Sequence, residues 1–369
     1  MKKKILKNIE WGILIACLIL IVIGLTALFS STNDTEHEEF KKQILWFAVS
    51  IPVIIFMIFI DYNLIAKVSP VFYGIFIVLL VVVLFTPSIN GAHSWFKIND
   101  IIAFQPSEFA KIFVIIFLAS TIVKIQKKDR DNINKISRLA LIFLIVGVPI
   151  ALIIKQPDLG TATVYIISTV LMLFVSGIDK KYIIVTLLLI AIAIPAIYMF
   201  ALPEHAKSRI EVYLNPDIDP RGAGYNIIQS KLAIGAGELL GMGILKGNQT
   251  QLGFLYPKTT DFIFSVISEE MGFVVSSLVI ILYVFLINKA VYVAKTAKDD
   301  LGAYISIGIA GIFFFHMVEN IGMTMGLLPI TGVPLPFVSY GGSSLLTNLI
   351  CIAILLNISG RRQKTIFVD

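Results

Sequence analysis

Long apolar runs separated by polar segments divide this chain, and that pattern restricts its fold more than any other feature. Hydrophobic residues make up 57% of the 369 residues and charged residues only 15%, unlike a soluble globular domain. One bilayer crossing takes roughly 20 mostly apolar residues. The runs predict an all-α integral membrane protein, a single polytopic domain over 1–369, with about ten transmembrane helices near 11–30, 43–61, 66–86, 106–123, 139–155, 158–177, 182–201, 264–288, 303–323 and 341–359.

Basic residues indicate the orientation of these spans. With a cytoplasmic N-terminus, most of the 30 Lys and Arg fall in inner segments, as the positive-inside rule requires. Both termini are then expected in the cytoplasm, and the net charge of +6 reflects topology rather than a nucleic-acid partner. The first run is too long for a signal-peptide core of roughly 7–15 residues, so we expect it to remain as the first span.

The longest polar segment, residues 202–263, separates the seventh and eighth predicted spans and is expected outside the cell. A structureless loop of that length is uncommon in a compact domain, so we expect it to form short helices and to carry the active site. Apolar residues at helical spacing predict one such helix within 225–240, lying at the membrane surface.

Ionisable residues inside or beside spans are costly and therefore informative. Glu108 and Lys111 are three positions apart, which places acid and base on one helix face, where they either form a structural ion pair or contribute to a site. Asp158 follows Gln156-Pro157 at the start of another span, where a helix cap explains it as well as function does. Lys155 is close enough to pair with Asp158 or with an anionic ligand.

Asp261 ends the long loop directly before the apolar run 262–264. A carboxyl held against apolar side chains has a raised pKa, which suits a base near neutral pH. The alternative is that Asp261 caps the next helix. Glu269 and Glu270 follow on that helix, and Gly272 permits a close approach by another segment.

Several classes of site are not indicated by the sequence. The four His residues are scattered without metal-ligand spacing, and no nucleotide-binding loop or hydrolase elbow occurs. The two Cys residues lie inside apolar runs and are expected to pack as small hydrophobic residues. The stretch 339–344, which follows three prolines, breaks helical structure at membrane depth, where only protein or a cavity can bury it.

Together these motifs resemble the SEDS family (shape, elongation, division and sporulation) of RodA, FtsW and SpoVE over nearly the whole chain. The matching motifs are Gln105-Pro106-Ser107-Glu108 with Lys111, Gln156-Pro157-Asp158-Leu159-Gly160-Thr161, Gly224-Tyr225 with Gln229-Ser230, Thr260-Asp261-Phe262-Ile263-Phe264 with Glu269-Glu270-Met271-Gly272, and Gly326-Leu327-Leu328-Pro329 through Pro334-Leu335-Pro336-Phe337 to Ser339-Tyr340-Gly341-Gly342-Ser343-Ser344. The short chain without long tails is most similar to RodA-like members. Two positions depart from the family pattern: Ser94 stands where Arg often precedes Trp95, and Asn226 where Gln often follows Gly224-Tyr225.

The resemblance implies a bacterial plasma-membrane glycosyltransferase that polymerises lipid II into glycan strands, together with a class B penicillin-binding protein and other elongation or division machinery. The family's essential outer aspartate maps onto Asp261, expected to act as general base. Its other polar positions map onto Glu108, Lys111 and Asp158. An anionic pyrophosphate substrate needs cations at the interface, and the expected substrate-binding residues are Lys258, Glu108, Lys111, Asp158, Lys155, Arg209 and Ser343.

A divalent cation, Mg²⁺ or Mn²⁺, would also stabilise the leaving pyrophosphate, whereas no nucleotide is expected, because the donor is already activated. The main alternative is a lipid II flippase in which Glu108, Lys111 and Asp158 form a polar path for the head group. A third interpretation is a scaffold for a partner synthase.

Overall fold

The computed structural model describes residues 2–87, 92–97, 103–182, 184–186, 188, 207, 213, 215, 218–219 and 224–362. Most of the predicted seventh span, 182–201, lies outside the described residues. Arg209 lies outside them as well. The described helices are α1 (Lys2–Asn8), α2 (Trp11–Ser31), α3 (Glu38–Phe59), α4 (Tyr62–Val82), α5 (Pro106–Gln126), α6 (Ile136–Lys155), α7 (Leu159–Val175), α8 (Tyr225–Ala236), α9 (Asn248–Gln251), α10 (Ile263–Lys295), α11 (Asp300–Thr324) and α12 (Gly342–Arg361). A two-stranded antiparallel ribbon joins β1 (Phe96–Lys97) to β2 (Ala103–Phe104).

Seven helices among the described residues are long and apolar enough to cross a bilayer: α2, α3, α4, α6, α10, α11 and α12. Two further apolar helices are not among the seven. Helix α5 has 21 residues but carries the charged residues Glu108, Lys111 and Lys124, and α7 is shorter, with 17 residues. The all-α fold is confirmed, with boundaries close to the predicted runs, while the number of ten spans stays a prediction.

Helices α11 and α12 are the most buried of the seven and α3 is the least. Their polar side chains face the protein interior: His316, Glu319, Asn320, Thr347 and Asn348 are all buried. Polar groups turned inward can satisfy one another, as lipid cannot hydrogen-bond them. These polar side chains of α11 and α12 therefore lie inside the bundle.

Both ends of the described chain lie at the same end of the bundle. Glu10, before α2, pairs with Lys289 near the end of α10 at 3.2 Å and with Arg362 after α12 at 2.6 Å. The opposite end holds the turn from α2 to α3, where Asp34 pairs with Lys258 at 2.9 Å. The residues that precede α10 therefore lie across the bundle from the termini.

Helix α10 is broken at Gly272, whose backbone has φ of 75° and ψ of −175°. A Cβ at this position would lie 2.2 Å from the Gly241 backbone nitrogen, so only glycine permits the approach. The segment 238–243 fills the break: Met242 and Gly243 donate to the carbonyls of residues 269 and 270, while Phe273 and Val274 donate to those of 238 and 239. The backbone groups freed by the break are thus paired within the protein.

Residues 325–341, between α11 and α12, form no regular secondary structure, and we call them the breaker segment. Its apolar side chains Val333, Leu335, Phe337 and Val338 are buried. The carbonyls of three of its residues accept side-chain hydrogen bonds: Val333 from Asn320, Pro334 from His316 and Pro336 from Tyr283. In the predicted stretch 339–344, residues 339–341 are irregular and buried or half-buried, as expected, whereas residues 342–344 already belong to α12.

Candidate functional site

The residues just before α10 are held by the breaker segment. The Tyr340 backbone N–H donates to the Thr259 carbonyl at 2.9 Å, and the Ser339 hydroxyl donates to the Thr260 carbonyl at 2.7 Å. The same hydroxyl accepts from the Leu335 N–H at 2.8 Å, which fixes its own orientation. The backbone leading to α10 is therefore held at two successive residues.

The next carbonyl, that of Asp261, is held from α11. The Asn320 side-chain amide donates one hydrogen to the Asp261 carbonyl at 3.0 Å and one to the Val333 carbonyl at 2.9 Å. The Asp261 carboxylate lies beside Gly332, where an added Cβ would be 3.7 Å from Oδ2. Three consecutive carbonyls, 259 to 261, thus each accept a hydrogen bond from the C-terminal part of the chain.

Asp261 is not the cap of α10. The N-cap residue is Phe262, and it provides no side-chain cap hydrogen bond. The Asp261 carboxyl is partly buried, and this desolvation raises its pKa from the usual 3.8 to about 6, although a hydrogen bond with the Thr260 side chain opposes the change. The cap interpretation is therefore wrong, and the carboxylate has the raised pKa expected of a base.

Lys258 lies three residues before Asp261, at the end of the bundle opposite the termini. Its ammonium pairs with Asp34 at 2.9 Å and donates to the Thr250 carbonyl at 3.3 Å. The Lys258 side chain is 14% exposed, whereas that of Asp34 is 54% exposed. An exposed partner is easily exchanged for another anion because water already solvates it.

Glu108 and Lys111 form a fully buried ion pair. The Lys111 ammonium lies 2.8 Å from Glu108 Oε2, and the two side chains are 1% and 2% exposed. The Thr347 hydroxyl also donates to Glu108 Oε2 at 3.1 Å. The structural ion pair considered from the sequence is present, and both side chains are closed off from solvent.

This ion pair is connected to the breaker segment through His316. His316 Nδ1 lies 2.9 Å from the Pro334 carbonyl, which can only accept, so Nδ1 carries the hydrogen. Nε2 is then the acceptor, and it lies 3.3 Å from the Lys111 ammonium. The buried pair thereby supports, through a neutral imidazole, the segment that holds Asp261.

The remaining predicted site residues have separate positions. Asp158 caps α7 by accepting from the Thr161 N–H at 3.1 Å, and Gln105 Nε2 donates to it at 3.2 Å. Ser343 is buried and donates to the Ala103 carbonyl at 3.1 Å. Lys155 is exposed at the end of α6. The helix-cap interpretation of Asp158 is confirmed, and no described contact brings these three residues to Asp261.

Glu269 and Glu270 hold residues 247–251 against α10. Glu269 accepts from the N–H groups of Gln249 and Thr250 and from the Thr250 hydroxyl. Glu270 Oε1 accepts from Ser30 on α2, at 2.7 Å, and from other loop donors. Both carboxylates are buried, and hydrogen bonds replace the lost water at Glu269 and at Glu270 Oε1, whereas Glu270 Oε2 has no partner among the described residues. Their role in this site is structural.

Among the described residues, no group of three or more His, Cys, Asp or Glu could hold a metal ion. Mg²⁺ commonly binds through one or two carboxylates together with substrate phosphates, and so needs no such cage. The expectation of a divalent cation at the pyrophosphate stays a prediction.

Sequence interpretation missed two residues. His316 and Asn320 hold consecutive carbonyls of the breaker segment, and Asn320 also holds Asp261. The signal available in the sequence was a pair of buried polar side chains four positions apart, on one face of an apolar helix.

Comparison with known proteins gives a consistent result across the chain. A family model described as FtsW/RodA/SpoVE cell cycle protein matches residues 8–364. The peptidoglycan glycosyltransferase MrdB of Escherichia coli is 35% identical over 358 residues, covering 96% of this chain and 95% of MrdB.

Two solved structures share the fold. A chain from a peptidoglycan synthase complex, described as coordinating polymerization and crosslinking, superposes with a TM-score of 0.82 at 27% identity, covering 95% of this chain and 97% of that chain. The rod shape determining protein RodA of Thermus thermophilus superposes with a TM-score of 0.72 at 25% identity, covering 96% of this chain and 98% of that one. The predicted multi-pass membrane architecture agrees with both.

Proposed function

Because the chain belongs to the FtsW/RodA/SpoVE (SEDS) family of cell cycle proteins, we propose that it is a peptidoglycan glycosyltransferase that polymerises lipid II into glycan strands. The observation that carries the proposal is Asp261: a partly buried carboxyl with a pKa of about 6, held at the end of the bundle opposite the termini and not used as a helix cap. The curated name of the MrdB relative supports the same activity.

We assign the role of general base to Asp261. Its carboxylate takes the proton from the 4-hydroxyl of the acceptor sugar as that oxygen attacks the anomeric carbon of the donor. The bond from the anomeric carbon to the lipid pyrophosphate breaks, the pyrophosphate leaves with the electron pair, and the configuration inverts. A positioned base contributes about 10²–10⁴-fold to the rate of such a step.

We propose that the Lys258 ammonium binds the pyrophosphate of the substrate. This ammonium is close to Asp261 in the chain and at present pairs with the exposed Asp34. A pyrophosphate carries more charge than a carboxylate, so it can replace Asp34 as the partner. The proposed Mg²⁺ or Mn²⁺ would supply further charge stabilisation on the same phosphates.

The flippase alternative is not favoured. It needs a polar path through Glu108, Lys111 and Asp158, whereas Glu108 and Lys111 are buried in a mutual ion pair and Asp158 caps a helix. The relative named above is a glycosyltransferase rather than a transporter.

We further propose a bacterial plasma-membrane location, with both termini cytoplasmic and Asp261 outside. The basic inner segments and the pairing of Glu10 with Arg362 support this orientation. The likeness to a chain of a complex that coordinates polymerization and crosslinking supports a class B penicillin-binding protein as partner. Lipid II, nascent glycan and other elongation or division machinery complete the proposed set of partners.

Purified protein in detergent, given lipid II, tests the proposal by the appearance of glycan polymer. The Asp261→Asn variant should form none. Asp61→Asn is a matched control, because Asp61 caps α4 at the opposite end of the bundle and Asn is an equally good cap. Polymer formed by Asp261→Asn, or head-group translocation in sealed vesicles without polymer, would contradict the proposed function.

A further inference from the structure

Asn320 joins the proposed base to the breaker segment. The side chain is fully buried in α11, and both hydrogens of its amide are used, one on the Asp261 carbonyl and one on the Val333 carbonyl. Its Oδ1 atom is buried and has no partner among the described residues. A buried amide with an unpaired oxygen is costly, so the two donated bonds are the reason it can be accommodated.

One of the two carbonyls that Asn320 joins belongs to Asp261, and the other follows the residue beside the Asp261 carboxylate. Val333 follows Gly332, whose backbone lies beside Asp261 Oδ2 and has a φ of 73°. One amide therefore fixes both the backbone that carries the carboxylate and the backbone that faces it. A shift of about 1 Å in such a group costs about 10²-fold in rate, because a base must point at the proton it removes.

We propose that Asn320 is a positioning residue for glycosyl transfer: its amide sets the Asp261 backbone against the breaker segment, so that the carboxylate is held facing the acceptor hydroxyl. This inference rests on the proposed role of Asp261 as the base. Ser339 and Tyr340 hold residues 260 and 259 in the same way, and of these three donors Asn320 is the one that bonds to Asp261.

The buried ion pair makes this attachment rigid. His316 lies one helical turn before Asn320 on α11 and holds the Pro334 carbonyl, next to the carbonyl held by Asn320. His316 is itself oriented by Lys111, which Glu108 neutralises. Two adjacent carbonyls of the breaker segment are thus fixed to one face of α11.

Among the described residues, few charged groups lie near the carboxylate, so its titration reports mainly on its burial. On α3, Glu39 accepts a hydrogen bond from Thr259. Before α10, Lys258 pairs with Asp34, and on α11, Glu319 accepts from Thr331 of the breaker segment at 2.7 Å. If Asp261 is released toward water, its pKa falls toward the usual value of 3.8.

The test compares Asn320→Leu and Asn320→Asp, which remove the donated pair, with Asn320→Gln, which keeps an amide. Initial rates of glycan formation are measured at saturating and limiting lipid II between pH 4 and 8, together with the thermal midpoint. We expect the Leu and Asp variants to lose about 10- to 100-fold in kcat with little change in KM. For Asn320→Leu, which adds no charge, we also expect the acid limb to move to lower pH, and we expect Asn320→Gln to restore part of kcat.

Asn357 provides a matched control. It is equally buried and donates to the carbonyls of Met57, Ile58 and Ile60, but it lies at the end of the bundle that holds the termini. Asn357→Leu should lower the thermal midpoint while kcat per folded molecule and the acid limb stay unchanged, because no hydrogen bond to Asp261 is lost.

The outcomes separate the two proposals. If a folded Asn320→Asp or Asn320→Leu protein keeps the wild-type kcat and acid limb while Asp261→Asn is inactive, the positioning role is wrong and the catalytic role stands. If neither Asn320 variant folds, Ser339→Ala, which removes the bond to the Thr260 carbonyl together with the one accepted from the Leu335 N–H, should lower kcat, and unchanged kcat would overturn the inference. Full activity of Asp261→Asn would overturn the proposed function itself.

Discussion

Replacement of Asp261 by Asn should stabilise the protein as well as inactivate it. Burial raises the pKa of this carboxyl from 3.8 to about 6, so the folded state disfavours the charged form. Well below pH 3.8 the group is protonated in both states and has no effect on the free energy of unfolding. As pH rises from 4 to 6 the unfolded chain ionises first, and the wild-type protein loses up to about 3 kcal/mol of stability.

The neutral Asn side chain cannot ionise, so the Asp261→Asn protein does not lose this free energy of unfolding as the pH rises. The thermal midpoint of Asp261→Asn, measured in detergent from pH 4 to 8, should therefore match the wild type near pH 4 and exceed it by a growing margin up to pH 6, then level off. A constant difference across the whole range, or a less stable variant above pH 6, would refute the reasoning that a buried charge is maintained here. Asp61→Asn again serves as control and should show no such gain, because Asp61 caps a helix, and its hydrogen bonds with Asn63 lower its pKa despite partial burial.

Three further variants test other parts of the site. Glu108→Gln leaves the Lys111 charge buried without its partner and should cost about 3–5 kcal/mol, seen as lost thermal stability, whereas Glu38→Gln, which breaks an exposed pair, should change little. Gly272→Ala should loosen the segment 238–243, measured as faster proteolysis between residues 237 and 251, because its Cβ would meet the Gly241 backbone at 2.2 Å. Gly74→Ala, with open space around it, is the control, and equal proteolysis of the two variants would contradict the expectation. Lys258→Gln should raise KM for lipid II about tenfold or more with a smaller effect on kcat, and an unchanged KM would remove Lys258 from the pyrophosphate site.

The transmembrane helices could be predicted because hydrophobicity alone decides them. The runs 11–30, 303–323 and 341–359 correspond closely to α2 (Trp11–Ser31), α11 (Asp300–Thr324) and α12 (Gly342–Arg361). Helix α10 continues beyond the predicted end at 288 because its last turns carry lysines, whose long side chains reach water from a helix end. The break at Gly272 depends on the packed segment 238–243, which no local pattern reveals.

The candidate site was predictable where partners are close in the chain. The ion pair of Glu108 and Lys111 follows from helical spacing, and the cap at Asp158 follows from the residue type and the start of α7. Whether Asp261 caps α10 depends on one residue: the helix starts at Ile263, so Phe262 is the cap and the carboxylate is left for another role.

The supports of Asp261 were not predictable, because they are tertiary contacts. Asn320 is 59 residues from Asp261, and His316 is 205 residues from Lys111. Sequence identifies these side chains only as polar residues inside an apolar helix, and such residues pack among themselves as often as they serve a site. The path of the breaker segment decides whether His316 and Asn320 pack with each other or support the site.

The pH dependence of polymerisation tests the central claim most directly. With lipid II saturating, the rate of glycan formation by the wild-type protein should rise through a midpoint near pH 6 as Asp261 loses its proton. Asp261→Glu should keep a reduced rate with its own shifted midpoint, and Asp261→Asn should have no measurable rate at any pH. A wild-type rate that is constant between pH 4 and 8, or a polymerising Asp261→Asn protein, would contradict the assignment of this carboxylate as the base.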